Sequence, residues 1–93
     1  MSKSRRVAAY PSSYMEIARE FEGGLRAKVV RCDSMAEATR LRLDLYGFRR
    51  AIEAEGLAFD YPNFLATRFY VEGKRVRIAH VDSTGPRSLR RAA

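Results

Sequence analysis

The stretch from Ser34 to Gly56, SMAEATRLRLDLYGFRRAIEAEG, constrains this chain more than any other. Ser34 followed three residues later by Glu37 is a capping box, in which each side chain satisfies a backbone donor at a helix start. Behind it Ala38, Leu41, Leu45, Phe48 and Ile52 advance by threes and fours, which gathers them on one stripe of a helix. Gly56 can take the left-handed conformation that ends such a helix. The apolar stripe is read as core, so the rest of the chain must supply a surface to cover it.

The flanks of that helix carry more chemistry than its seam. Arg42, Tyr46 and Arg49 fall on one shoulder of the stripe, with Arg50 further round. On the far side sit Ala36, Leu43, Gly47 and Ala54. A glycine in mid-helix costs about 1 kcal/mol against alanine, but it lets another backbone come close. This second stripe suits a partner helix, and hence a homodimer, or the first helix of the same chain. The plain alternative for Gly47 is a tolerated local defect.

Before the central helix, Pro11 and the pair Ser13 and Glu16 give a second helix start. Tyr14, Ile17, Ala18 and Phe21 follow at helical spacing, and Gly23-Gly24 stop the run near Glu22. The outer positions of this helix include Glu16, Glu20 and Glu22 against a single Arg19, an acidic face unsuited to phosphate. Leu25 to Cys32, LRAKVVRC, reads as a strand of imperfect alternation: Leu25, Ala27 and Val29 define one face, Val30 and Cys32 the other. Cover on both sides near its end, or a bulge, would give that pattern. Cys32 is then a packed, inert thiol. The loop LAFDYPN follows the central helix, and its Phe59 and Tyr61 are expected to lid an edge of the core.

From Phe64 to Val81 the sequence reads as a hairpin, FLATRFYV-EG-KRVRIAHV, with Glu72-Gly73 as its two-residue connection. That register pairs Val71 with Lys74, Phe69 with Val76, Thr67 with Ile78 and Leu65 with His80 on an apolar face that meets the central helix. His80 is read as a packed structural residue rather than a general base. The other face presents Tyr70 with Arg75, Arg68 with Arg77, Ala66 with Ala79 and Phe64 with Val81. Two arginines opposed on one face repel unless something negative lies between them. Three occupants fit: a nucleic-acid strand held by the arginines and stacked on Tyr70, solvent, or the carboxylates of a partner subunit.

The predicted fold class is therefore α+β, a small single domain of order α-β-α-β-β, with a three-stranded sheet packed on a central amphipathic helix. Ninety-three residues allow one such core, marginal in stability. A formal charge of +7 sits mostly at the ends. Lys3, Arg5 and Arg6 belong to a basic arm, residues 1–9, expected to be mobile when free. Arg87, Arg90 and Arg91 belong to a basic tail, residues 84–93. Without those six, the domain 10–83 holds twelve basic and eleven acidic residues, so any binding surface on it must come from segregating charges by face. Fifteen of the eighteen basic residues are Arg, which suits bidentate contact with phosphate and stacking on bases.

Other function classes find little support. No Gly-rich phosphate loop, nucleophile elbow or paired-histidine metal motif occurs, and a lone Cys and a lone His leave no zinc set. Asp33, Asp60 and Asp82 each have a routine reason to stand at a turn or cap. No apolar run approaches membrane-spanning length, and a single cysteine fits a reducing, cytoplasmic setting. The expectation is a small non-enzymatic nucleic-acid-binding protein without cofactor or metal. It would hold DNA or RNA through Arg68, Tyr70, Arg75 and Arg77, widened by Arg42, Arg49 and Arg50 and by the tails. The alternative is an assembly module that self-associates through Ala36, Leu43, Gly47 and Ala54, with tails that tether it to nucleic acid.

Overall fold

A computed structural model describes residues 5–81. Lys3, the tail 84–93 with Arg87, Arg90 and Arg91, and Asp82 lie outside the described residues. The elements run α1 (Ser12–Glu22), β1 (Ala27–Arg31), α2 (Met35–Ala54), a short α3 (Pro62–Leu65), β2 (Thr67–Glu72) and β3 (Arg75–His80), with single 3-10 turns at Val7–Ala9 and Ala58–Asp60. The strands form one antiparallel sheet in the order β1-β3-β2. Its inner face meets the helices, which gives the α+β fold that the hydrophobic pattern implies.

The central helix forms where its caps put it. The Ser34 hydroxyl accepts from the Glu37 N–H at 3.1 Å, and the Glu37 carboxylate reaches back to the Asp33 N–H at 2.9 Å. At the far end Gly56 stands at φ +75°. Leu57 N–H bonds to the Ile52 carbonyl and Gly56 N–H to that of Glu53, the paired bonds of a Schellman close. Between the caps Ala38, Leu45, Phe48, Ala51 and Ile52 are buried. Ala38, Leu45, Phe48 and Ile52 pack with Tyr14, Ile17, Ala18 and Phe21 of α1, with Phe64, and with Phe69, Val76 and Ile78 of the sheet. Much of this core is aromatic. Tyr14 meets Phe48 edge-on at 5.6 Å, Phe48 meets Phe64 at 5.9 Å, and Phe64 meets Phe69 at 6.1 Å, spacings at which ring quadrupoles add to burial.

Four local expectations are corrected. The Ser13–Glu16 capping box does not form, because the cap is Pro11, two residues before Ser13, and no side-chain bond is made there. Phe64 to Ala66 do not belong to β2. Pro62 begins a helical turn, and the Glu22 carboxylate accepts from the Phe64 N–H at 2.8 Å, satisfying a donor that a strand would have turned to a neighbour. Phe59 is no lid: the 3-10 turn at Ala58–Asp60 turns it outward until it is 98% exposed, whereas Tyr61 packs on the core.

The fourth correction is the hairpin register. The loop is Gly73-Lys74, with Glu72 opposite Arg75, Tyr70 opposite Arg77 and Arg68 opposite Ala79. A connection at Glu72-Gly73 would have needed Glu72 at positive φ. Instead Gly73 takes φ +66° as the first loop residue and no non-glycine among the described residues has positive φ, the pattern of a type II′ turn. Sliding the loop by one residue moves every pairing by two, so each side chain keeps its face. The partition into an apolar and a basic face survives, but Arg68 and Arg77 are not opposed.

The described part of the N-terminal arm is docked. Val7 N–H donates to the Glu55 carboxylate, and the Arg5 guanidinium lies 4.1 Å from the Tyr10 ring centroid and 3.4 Å from the Asp44 carboxylate. Tyr10 explains Gly47, since a Cβ there would stand 2.7 Å from the Tyr10 hydroxyl. The close approach is made by the chain's own entry segment, while Leu43 on the same stripe is 61% exposed. Among the described residues no helix is long and apolar enough to cross a membrane.

Candidate nucleic-acid interface

With the helices on one side, the other side of the sheet carries nine side chains in three rows. Register sets them as Ala27, Ala79 and Arg68; Val29, Arg77 and Tyr70; and Arg31, Arg75 and Glu72. Four of the nine are arginines and one is acidic. Arg31, Arg68 and Arg75 are exposed, Arg77 and Tyr70 are half-buried, and Ala79 is buried between its neighbours.

Glu72 and Tyr70 organise the middle of this face. Arg77 Nε donates to Glu72 Oε2 at 2.6 Å, and Arg75 Nε stands 3.8 Å from Glu72 Oε1. The Arg77 guanidinium also lies 4.4 Å from the Tyr70 ring centroid, within cation–π range. One carboxylate thus separates the two arginines of β3. A guanidinium has five N–H donors, so a bond through Nε leaves the outer nitrogens for an acceptor above the sheet. Arg31 and Arg68 make no hydrogen bond, ion pair or ring contact among the described residues. They flank the middle row with uncommitted charge.

The helix-shoulder arginines behave differently. The shoulder does reach the sheet edge, but there Arg42 Nε donates to the Phe69 carbonyl at 3.0 Å and Arg49 Nη1 to the Thr67 carbonyl at 2.6 Å. Both guanidiniums also lie near the Tyr46 ring, at 5.3 and 5.0 Å, and Arg49 lies 5.4 Å from Phe69. They cover the outer edge of β2 and are half-buried there. Arg50 is not brought to the sheet; its Nη2 lies on the Gly47 side of α2. Of the N-terminal residues, Arg5 is engaged with Asp44 and Tyr10, and Arg6 is exposed.

Sequence reasoning brought Arg68, Tyr70, Arg75 and Arg77 together correctly as a face. It missed Arg31 and Val29, which β1 adds to that face, and it missed Glu72 as the residue between the arginines. The odd-numbered spacing of Ala27, Val29 and Arg31 carried the signal, obscured by treating Ala27 and Val29 as the apolar side.

Two titratable groups near α1 are perturbed. Tyr14 donates to the Asp44 carboxylate at 3.1 Å, and burial, then that bond, push its hydroxyl up to about 12. Burial also pushes the Cys32 thiol up, helped by the nearby carboxylates of Glu37 and Asp33. A raised thiol pKa lowers the thiolate fraction and with it reactivity. No known protein family, curated protein or solved structure matches the chain.

Proposed function

We propose that this is a non-enzymatic nucleic-acid-binding protein whose ligand lies across the open sheet face. The observation that carries the reading is the concentration of Arg31, Arg68, Arg75 and Arg77 around Tyr70 on the one sheet face that no helix covers. In a domain with nearly balanced charge, such a face supplies local positive potential that the average composition does not. The arginines contact phosphate, and the Arg77–Tyr70 pair offers a planar cation and a ring on which a base can stack. A sheet surface of this kind accommodates an unpaired strand, whose bases can splay onto it, better than a duplex. The basic residues outside 10–83 add attraction that falls with salt.

The test is binding of the full chain to single- and double-stranded oligonucleotides over a range of salt. Replacing Arg68 and Arg75 by Gln should weaken binding and lower the slope of log K against log salt by roughly 0.7–0.9 for each phosphate no longer neutralised. Tyr70→Ala should cost about 1–3 kcal/mol of binding with little change of slope. Binding equal to the parent's in both variants would show the face to be a solvated surface.

A further inference from the structure

The two edges of the sheet are built differently. At the β2 edge, Arg49 and Arg42 hold the outward carbonyls of Thr67 and Phe69. At the β1 edge nothing comparable occurs. Cys32 N–H bonds to the Lys74 carbonyl and His80 N–H to the Arg26 carbonyl, so the even-numbered residues from 26 to 32 turn their backbone groups toward β3. Ala27, Val29 and Arg31 therefore turn theirs to the free edge, and among the described residues nothing takes them up. No residue of β1 is buried, and Val29 is 44% exposed. On the inner side the edge opens onto a groove of about 260 Å³ lined by Tyr14, Ile17, Glu20, Lys28, Val30 and Leu41. That is smaller than the roughly 300–1,000 Å³ typical of small-molecule sites and suited to the side chains of an added strand.

We propose that β1 is an interface for a second copy of this chain, two β1 strands pairing antiparallel about a two-fold axis through Val29. The charges and the backbone select this occupant and this register. Centred on Val29, Ala27 faces the partner's Arg31 and Lys28 faces the partner's Val30, so no like charges are opposed. All three outward residues then lie in pairs that exchange both hydrogen bonds. Centring on Lys28 would oppose two lysines and centring on Arg31 two arginines, each unfavourable. Head-to-tail addition of β1 to the β2 edge of another copy, which would build an open array, meets carbonyls already held by Arg42 and Arg49. The closed dimer is the arrangement left. Its inner side chains, Val30 and Lys28 of each copy, lie over the other's groove. The middle row then runs unbroken from Tyr70, Arg77 and Val29 of one copy into those of the next, across a sheet of six strands. The pairing rests on edge geometry and holds whether or not the face binds nucleic acid.

The test is sedimentation of the full chain with three variants. Val29→Pro removes an N–H that points away from β3 and puts a ring in the path of the incoming strand, a placement edge strands tolerate. It should raise the dimer dissociation constant more than about tenfold with an unchanged far-UV spectrum. Leu43→Lys, on the exposed stripe of α2, should leave the dimer intact. Independently of folding effects at Val29→Pro, Val29→Cys in a Cys32→Ser background should crosslink on oxidation, because directly opposed residues lie about 5.5 Å apart, within disulfide reach. A wild-type chain that sediments as a monomer, a Val29→Cys variant that does not crosslink, or a dimer broken by Leu43→Lys rather than Val29→Pro would overturn the proposal.

Discussion

The arginines of α2 and the arginines of the sheet face are the same residue type, a few residues from the same aromatic core, and they do opposite things. Arg42 and Arg49 turn inward along the helix shoulder, donate to the carbonyls of Phe69 and Thr67, and lie near Tyr46. Arg31 and Arg68 stand on the open side with no partner among the described residues, and Arg75 and Arg77 share one carboxylate. What separates the groups is where the backbone has unmet acceptors. An edge strand exposes a row of carbonyls, and a guanidinium on a flexible stem is well placed to meet them. The arginines of the open face stand on the broad side of the sheet rather than along its rim, and among the described residues none of them holds an edge carbonyl. Arg31 and Arg68 remain available to an outside anion.

That contrast is broken or kept by stability measurements. Charge-assisted hydrogen bonds contribute about 1.5–3 kcal/mol each, although the edge carbonyls can rehydrate once uncovered. Replacing Arg42 and Arg49 together by Ala should therefore lower the unfolding free energy by about 2–4 kcal/mol in urea titration. The pair Arg68→Gln/Arg75→Gln should stay within about 0.5 kcal/mol of the parent. Equal losses in the two pairs would erase the distinction. The α2 variant should also be more prone to self-association, because its β2 edge is uncovered.

Arg5 extends the inward group, and pH probes it. Tyr14 donates to Asp44, which Arg5 also contacts, and its pKa is pushed up to about 12 against an ordinary 10. The folded state therefore holds this proton more tightly than the unfolded state. Its contribution is fully present below pH 10 and is lost as pH rises toward 12. The loss should amount to about 2–3 kcal/mol at most. In Tyr14→Phe this part of the alkaline decline should be missing. A parent and variant with the same slope between pH 10 and 12 would show that the cluster does not hold the proton.

Much of this arrangement was legible in the sequence, and the gaps have physical reasons. The α2 stripe was readable because burial repeats with the helix period, and Ser34, Glu37 and Gly56 act within one turn of the helix ends. The two faces of the hairpin were readable because side chains alternate, and a loop moved by one residue preserves that alternation. The pairing itself was not, since it turns on whether Gly73 or Glu72 takes positive φ. The bonds of Arg42 and Arg49 span 27 and 18 residues and leave no periodic trace. The nearest signal is Tyr46 between them at helical spacing. Phe59 was misjudged because an aromatic in a loop carries no information about which way a 3-10 turn will aim it.

Glu72 offers a smaller and more discriminating effect on the outward group. It is the one acid among the nine side chains of the face and holds both arginines of β3. Glu72→Gln should cost at most about 1 kcal/mol of stability, as expected for a partly exposed pair. It should tighten oligonucleotide binding and raise the salt slope by up to roughly 0.7–0.9 for each further phosphate neutralised. Unchanged affinity would mean that Arg75 and Arg77 do not meet the ligand.

The most direct measurement is a nuclear magnetic resonance titration of the full chain with a short single-stranded oligonucleotide, following backbone amides and arginine Nε–H signals together. With the ligand on the open sheet face, shifts should concentrate on Val29, Arg31, Arg68, Tyr70, Arg75 and Arg77. The Nε–H signal of Arg42, already bonded to a carbonyl, should stay in place. Shifts confined to residues outside 10–83, or centred on the α2 shoulder with the sheet face silent, would contradict a ligand held on that face.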